Sequence, residues 1–161
     1  MGSDSDLPSL EGGFQLLKEL DVSFGVRILS AHRTPRETLA FAESAERDGA
    51  KVIIAAAGLA AHLAGVIAAH CILPVIGVPM AGSDLGGVDA LYSTVQMPPG
   101  VPVASMGIGK AGAKNAALFA LRILALGQKE LRVKLASFIE SQAELVREKD
   151  RKLRERYETE R

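Results

Sequence analysis

Apolar residues recur at helical spacing in the first twenty positions of the chain. Leu10, Phe14, Leu17 and Leu20 follow one another at intervals of three or four residues, which places them on one face of a helix. Pro8 suits the first helical position, where its missing N–H costs no hydrogen bond. The pattern therefore predicts an amphipathic helix that begins near Pro8.

Later segments alternate between strand-like and helix-like patterns. Val and Ile are frequent in the strand-like segments, and the run KVIIAAAG is apolar without interruption, as in a strand covered on both faces of a parallel sheet. The predicted strands are residues 21–30, 51–58, 74–79 and 100–108, and the predicted helices between them are residues 35–48, 60–71 and 111–126.

Strands that alternate with helices predict a doubly wound parallel sheet, because parallel neighbours need right-handed crossovers. Ligands bind such sheets beyond the carboxyl ends of the strands. The polar and glycine-rich segments 30–34, 58–62 and 81–87 fall at those ends. The topology therefore predicts a site at that edge of the sheet.

The chain from Lys129 onward has a different character. Leu131, Leu135 and Phe138 belong to an apolar stripe, whereas the final stretch REKDRKLRERYETER is almost entirely charged. Its acids offset its bases, which favours a solvated helix over a nucleic-acid-binding arm. We expect one domain over residues 1–161, with a helix over about 129–157 whose stripe packs on a neighbouring subunit.

Composition narrows the classes of function. The chain has 19 basic and 19 acidic side chains, so its net charge gives no basis for binding nucleic acid or an anionic membrane. Cys71 is the single cysteine, as expected in a reducing compartment. The sequence has no pattern of a signal peptide or a membrane-spanning helix. We therefore expect a soluble, cytoplasmic protein.

Two histidines stand in segments that follow predicted strands. His32 can exchange a proton near neutral pH, and the adjacent Arg33 can hold a phosphate or a carboxylate. The alternative is that His32 only bonds a loop carbonyl. His62 lies among alanines and glycines, where a histidine is more often structural. His70 and Cys71 lack the spacing and the further ligands of a metal site.

Two glycine-rich segments have the composition of phosphate-binding loops. AGSDLGGVDALYS could hold a phosphate through glycine N–H groups, but an ordinary strand-to-helix loop has the same composition. GIGKAG lacks the full spacing and the final Ser or Thr of a Walker motif. Neither segment identifies a ligand by itself.

Five motifs occur in order across nearly the whole chain, namely GSDSD, SAHRTP, AAHLAG, GVDALYSTVQMPPGVPVA and AGAKNAAL. Together they resemble the family of N5-carboxyaminoimidazole ribonucleotide mutases, and SAHRTP combined with VQMPPGVPVA is the specific part of the likeness. The resemblance implies a flavodoxin-like, three-layer α/β/α parallel-sheet fold, a homo-octamer, and a purine-biosynthetic reaction without a metal or an organic cofactor.

The reaction that the resemblance implies moves a carboxyl group from an exocyclic nitrogen of an imidazole ribonucleotide to a ring carbon. The substrate would lose the carboxyl group as trapped carbon dioxide. The ring carbon would then attack that molecule and release a proton. One group must both donate and accept a proton in a dry pocket. His32 matches the family histidine in SAHRTP and is the predicted catalytic residue.

The same likeness implies the substrate-binding residues. Arg33 matches the arginine that binds the phosphate, and Ser3 and Asp6 match first-loop residues that contact the nucleotide, Asp6 through ribose hydroxyls. Further residues match the family's pocket wall and carbon dioxide site, namely Ser30, Gly58, Ala61, His62 and Leu63. Ser83 to Leu85 match the loop that closes over the ligand in the family.

The chain departs from the family pattern in two places. The family's GAGGAAHLPG is matched here with Ala56, Leu59 and Ala64 in place of glycine, glycine and proline. Leu59 adds bulk and a restricted backbone, which could mark a branch that carboxylates aminoimidazole ribonucleotide directly with carbon dioxide. The arginine in SAHRTP favours the mutase branch.

The family also has an apolar strand before GSDSD. We expect that the natural protein begins several residues earlier; if Met1 is the genuine start, the site should be weaker on the side of Ser3 and Asp6, with His32 in place.

Those two activities are not the only alternatives. A third interpretation is that the protein has the same fold but is a nucleotide-binding regulatory or scaffold protein and not an enzyme. Turnover of the N-carboxylated substrate would separate it from both enzymes.

Overall fold

The structure, a computed structural model, describes residues 1–158, so the last three residues of the predicted domain lie outside the described range. Helices and strands alternate along the chain. In order, the elements are a 3-10 helix Asp4–Asp6, α1 Leu7–Glu19, α2 Pro35–Ser44, β1 Ile53–Ala57, α3 Leu63–Ala68, β2 Val75–Pro79, α4 Val88–Val95, β3 Ala104–Ser105, α5 Gly109–Leu124 and α6 Lys129–Glu158.

The three strands form a parallel sheet in the order β1-β2-β3. Ile53 of β1 pairs with Val75 of β2, and Ile76 of β2 pairs with Ala104 of β3. All residues of β2 are buried, because helices cover both faces of the sheet. The predicted three-layer, flavodoxin-like α/β fold with a long C-terminal helix is confirmed.

Successive residues of β2 pack into two different core clusters, one on each face of the sheet. Ile76 packs with Leu10 of α1 and Ala116 of α5 on one face of the sheet. Val75 packs with Leu63 of α3 and with residues of α2 on the other face. This alternation follows from the two-residue period of a strand, which sends successive side chains to opposite faces.

The predicted strand over residues 21–30 differs from the structure. Residues 22–30 are not part of the sheet, although they lie beside it and are rich in Val and Ile. The reason is local, since the position between this segment and β1 is held by Met1 and Gly2 alone. A strand needs a neighbour along its whole length to form a ladder.

Shorter elements also replace some of those predicted. The predicted strand 100–108 contains only Ala104–Ser105 as paired residues, and Pro102 within it has no N–H to donate to a neighbour. The predicted helix 60–71 is reduced to Leu63–Ala68. The helix predicted to reach residue 48 ends at Ser44.

The long helix α6 packs on its own domain through its first turns. Leu131 and Leu135 are buried in a cluster with Leu17 of α1 and Leu121 of α5. The apolar side chains exposed farther along are Ile139, Leu145, Val146, Leu153 and Tyr157. Within residues 1–158, no helix is both long and apolar enough to cross a membrane.

Candidate active site

Four loops meet at the carboxyl edge of the sheet. They follow Met1–Gly2, the 22–29 segment, β1 and β2 in turn. Contacts join the first loop to the second through Arg33, the second to the third through His32, and the third to the fourth at Gly58. The structure thus brings these polar and glycine-rich segments together.

His32 and His62 are in direct contact. Nε2 of His32 lies 2.8 Å from Nδ1 of His62, and the two rings meet edge to face with centroids 4.9 Å apart. One of these nitrogens donates and the other accepts, so at least one of the two rings is neutral. Both residues are exposed, which leaves the pair accessible to a ligand.

Ser30 and Thr34 fix the loop that carries His32 and Arg33. Ser30 Oγ accepts from the backbone N–H of Arg33 at 3.1 Å and from its Nε at 3.4 Å. Thr34 Oγ1 accepts from the backbone N–H of Ser30 at 2.9 Å. These bonds close the loop into a compact turn just before α2.

Arg33 also connects this turn to the first loop. Its Nη2 donates to the carbonyl oxygen of Gly2 at 3.1 Å. A guanidinium has five N–H donors, so its contacts with Ser30 and Gly2 leave donors for an anionic ligand.

The first loop is a short helical turn with a reciprocal cap. Ser3 Oγ accepts from the N–H of Ser5, and Asp6 Oδ2 accepts from the N–H of Ser3, both at 3.3 Å. Burial raises the pKa of Asp6, while the hydrogen bond from Ser3 and the charge of the Met1 ammonium act in the opposite direction. A half-buried carboxylate thus caps the first loop by accepting from the N–H of Ser3.

Ser83 organises the loop after β2. Its Oγ donates to Asp89 Oδ1 at 2.7 Å and accepts from the N–H groups of Leu85 at 3.2 Å and Gly87 at 3.3 Å. Gly87 has φ of +87°, and a Cβ there would come within 3.0 Å of the carbonyl oxygen of Met80. This position therefore requires glycine.

The turn after β1 has one strained residue. Gly58 faces the loop after β2, since a Cβ there would lie 3.4 Å from the carbonyl oxygen of Met80. Leu59 has φ of +56° and is 60% exposed. The left-handed region costs a residue with a Cβ roughly 1–2 kcal/mol. The restricted backbone expected of Leu59 is thus a strained one.

The predicted site residues differ in what their side chains can reach. Ala61 and Leu63 are only 2% and 3% exposed. The side chain of Leu63 packs in the core cluster that contains Ala42 of α2. Only the backbone of Ala61 and of Leu63 can face a ligand at the edge. Leu85 is 66% exposed and is held through its N–H by Ser83.

Three groups in this region escaped the sequence analysis. Thr34 lies in the segment 30–34 but was not among the predicted site residues, and its hydroxyl closes the turn with Ser30. Asp89 holds the Ser83 hydroxyl, and its position in the first turn of α4 was the available signal. The carbonyl of Gly2 has no signal in the sequence, because any residue offers one.

A cavity in this protein lies away from these loops. It has a volume of about 720 Å³ and lies between the 22–29 segment and β1, and neither His32 nor His62 lines it. Within residues 1–158, no group of three or more His, Cys, Asp or Glu side chains is placed to hold a metal ion. The polar groups at the edge of the sheet include the histidine pair, Arg33 and the capped loops.

Fold and site together define a flavodoxin-like α/β protein with a polar site at the carboxyl edge of a parallel sheet. The family model described as AIR carboxylase matches residues 1–145. The chain belongs to this family.

Curated relatives and a solved structure agree with this assignment. The chain is 51% identical over 146 residues to N5-carboxyaminoimidazole ribonucleotide mutase of Haemophilus influenzae, a match that covers 91% of this chain and 89% of the relative. It is 51% identical over 153 residues to phosphoribosylaminoimidazole carboxylase of Saccharomyces cerevisiae, covering 95% of this chain but 26% of that protein. The crystal structure of Treponema denticola PurE superposes with a TM-score of 0.85 at 33% identity, covering 95% and 94% of the two chains.

Proposed function

We propose that this protein converts N5-carboxyaminoimidazole ribonucleotide to 4-carboxy-5-aminoimidazole ribonucleotide in purine biosynthesis. The observation that carries the proposal is the contact of His32 with His62 where four loops meet. The chain that forms this contact is 51% identical to an N5-carboxyaminoimidazole ribonucleotide mutase. The reaction is an isomerisation, because the carboxyl group leaves one atom of the substrate and returns to another.

His32 is the proposed acid–base residue. When the N-carboxyl group leaves as carbon dioxide, the exocyclic nitrogen gains a proton, which His32 supplies. When the ring carbon attacks the carbon dioxide, that carbon must lose its proton to restore aromaticity, and His32 takes it. The imidazole thus ends each cycle in the state in which it began. Through its Nδ1, His62 accepts from or donates to Nε2 of His32 and so holds the His32 ring in place.

Arg33, Ser3 and Asp6 are the proposed nucleotide-binding residues. The guanidinium donors of Arg33 suit a phosphate monoester, which accepts bidentate bonds. The side chains of Ser3 and Asp6 offer a hydroxyl and a carboxylate for ribose hydroxyls. In this structure these side chains cap their own turn, so binding would exchange local bonds for bonds to the ligand.

The carbon dioxide must be retained between its release and its capture. We assign this to the turn after β1, with Gly58, Ala61, His62 and Leu63, and to closure by the loop from Ser83 to Leu85; Ser30 supports the wall. The support is spatial, because Gly58 lies against the loop after β2. A closed, dry pocket would keep the carbon dioxide from escaping.

We also propose that the protein works as a cytoplasmic homo-octamer. Apolar side chains remain exposed on α6 beyond its buried first turns, and packing them on a neighbouring subunit would remove them from water. Light scattering coupled to size-exclusion chromatography tests this, and a monomer at micromolar concentration would contradict it.

A direct carboxylase that joins free carbon dioxide to aminoimidazole ribonucleotide is the second candidate. Leu59 favours it, since this strained residue stands in the proposed carbon dioxide pocket at a position where the mutase pattern has glycine. The equal identity to the fungal carboxylase is compatible with either activity.

Turnover assays separate these candidates. Pure protein is incubated with N5-carboxyaminoimidazole ribonucleotide without added bicarbonate, and the carbon-carboxylated product is followed. We expect product in this reaction. Product only from aminoimidazole ribonucleotide with bicarbonate would identify the carboxylase, and nucleotide binding without either turnover would leave a binding protein.

A further inference from the structure

Leu59 combines two features that no packing role explains. Within residues 1–158, only Asp21 and Leu59 have a side chain together with a positive φ. An aspartate tolerates the left-handed region because its short polar side chain can bond locally, whereas a leucine lacks such a bond. Leu59 is nevertheless 60% exposed, so burial in the core does not offset its unfavourable backbone conformation. A leucine at this position therefore benefits neither the backbone nor the core.

Leu59 lies in the same loop as His62. The N–H of His62 donates to the carbonyl of Ala60 at 2.8 Å, so the chain turns tightly just after Leu59. Directly before it, Gly58 lies against the loop after β2. The leucine is thus held at the carboxyl edge of the sheet, three positions before the imidazole that contacts His32.

A second exposed leucine lies in the loop after β2. Leu85 is 66% exposed, and its N–H donates to Ser83 Oγ at 3.2 Å. The loops that carry the two leucines are joined at their bases, since the N–H of Met80 donates to the carbonyl of Ala57 at 2.9 Å. Two large apolar side chains therefore remain exposed on neighbouring loops at the edge that carries the polar site.

The proposed reaction needs an apolar cover at this edge. Carbon dioxide is uncharged and apolar, so only weak contacts and the walls of the pocket hold it between its release and its capture. A polar loop would keep water beside it, whereas an apolar side chain displaces that water without reacting. An exposed leucine in the loop of His62 has the chemistry of such a cover.

We propose that Leu59 and Leu85 form an apolar roof over the carbon dioxide released from the substrate. Leu59 is its fixed part, and Leu85 is the part that moves with the closing loop. Leu59 is then a specificity-determining residue, because it decides whether the ring carbon receives the released molecule or one from solution.

This inference rests on the proposed isomerisation. In that reaction the bond between the exocyclic nitrogen and the carboxyl carbon breaks, and the nitrogen gains a proton. The carbon dioxide carbon then bonds to the ring carbon, which gives up its own proton. The roof takes part in none of these bonds; it lengthens the time for which carbon dioxide stays beside the ring.

The experiment measures how much carbon dioxide from solution enters the product. N5-carboxyaminoimidazole ribonucleotide is converted in isotopically labelled bicarbonate, with carbonic anhydrase added to equilibrate bicarbonate and dissolved carbon dioxide. We expect little label in the first product of the parent. The labelled fraction should rise about fourfold or more in Leu59→Ala, the change that corresponds to losing the apolar contact of one CH₂ group. Leu59→Met restores an apolar side chain of similar volume and should return the label to near the parent value.

Leu126→Ala is the matched control. Leu126 is 83% exposed and follows the end of α5, a helix that begins at the carboxyl edge of the sheet and runs away from it. The same substitution there should leave the label unchanged. Leu85→Ala should raise the label as Leu59→Ala does, and the double variant should show little more than either, because opening one side of a shared roof already releases the molecule.

The outcomes distinguish the roof from the reaction on which it rests. Equal label in the parent and in Leu59→Ala, with the parent converting its substrate, overturns the roof and does not affect the proposed isomerisation. A parent that forms no product, or product with the full label of the medium, contradicts the isomerisation and the roof together. A loss of stability in Leu59→Ala cannot imitate the expected result, because the labelled fraction is a ratio within the product that forms.

Discussion

Nε2 of His32 and Nδ1 of His62 are 2.8 Å apart although 30 positions separate the two residues in the chain. The second loop follows the 22–29 segment and the third follows β1, and both loops lie at the carboxyl edge of the sheet. A bridging hydrogen bond restricts rotation of both rings. The contact therefore supplies what a proton shuttle needs, a fixed direction for the exchanging nitrogen.

His32→Asn tests the acid–base role. We expect kcat to fall by about 10²–10⁴-fold, the usual contribution of general acid–base catalysis, while nucleotide affinity by calorimetry stays near that of the parent. His70→Asn is the matched control, since His70 is exposed at the far end of α3, and it should retain activity. A His32→Asn enzyme as active as the parent contradicts the assignment.

His62→Asn and His62→Ala test the positioning role. The Asn amide can stand near the position of Nδ1 and preserve a partner for His32, whereas Ala removes it. Losing one hydrogen bond of about 1 kcal/mol should lower kcat about fivefold in the Ala variant, with KM little changed and the Asn variant closer to the parent. Equal losses in both variants would indicate that His62 acts in some other way.

Arg33→Lys tests phosphate binding. Lysine keeps the charge but loses the planar fork of donors, including the one that reaches the carbonyl of Gly2. We expect nucleotide affinity to drop by about 10- to 100-fold, the value of one or two charge-assisted bonds. Arg36→Lys, at an exposed position of the adjacent helix, should bind normally. Unchanged affinity in Arg33→Lys would remove Arg33 from the phosphate site.

The sequence predicted the loops of this site better than the strands that hold them. Residues 30–34, 58–62 and 81–87 lie at the predicted edge because alternation of strands and helices determines topology. Residues 22–30 have a strand composition but form no ladder, since pairing depends on a neighbour that composition does not reveal. Individual contacts, such as that of Arg33 with the Gly2 carbonyl, depend on side-chain geometry and were not predictable.

Leu59→Gly tests the backbone strain after β1. Glycine adopts a positive φ freely, so the variant recovers roughly 1–2 kcal/mol of strain and loses about 0.5–1 kcal/mol through unfolded-chain entropy. Little burial is lost, because Leu59 is 60% exposed. We expect a net gain of about 0.5–1 kcal/mol in the free energy of unfolding, measured by urea denaturation. Leu59→Ala keeps the Cβ and should show no such gain; equal stability of the two variants would contradict the strain.

Asp6→Asn tests the electrostatics of the first loop. Burial raises the pKa of Asp6 above 3.8, so the folded protein holds this proton more tightly than the unfolded chain does. The stabilisation from the neutral acid is then fully present below pH 3.8 and is lost as pH rises through the folded value. Relative to Asp6→Asn, the parent should therefore lose unfolding free energy across that window and show a constant difference at higher pH. Urea denaturation of both proteins at a series of pH values measures this. A parent that gains stability over the window would mean that the bond from Ser3 outweighs burial at this carboxylate.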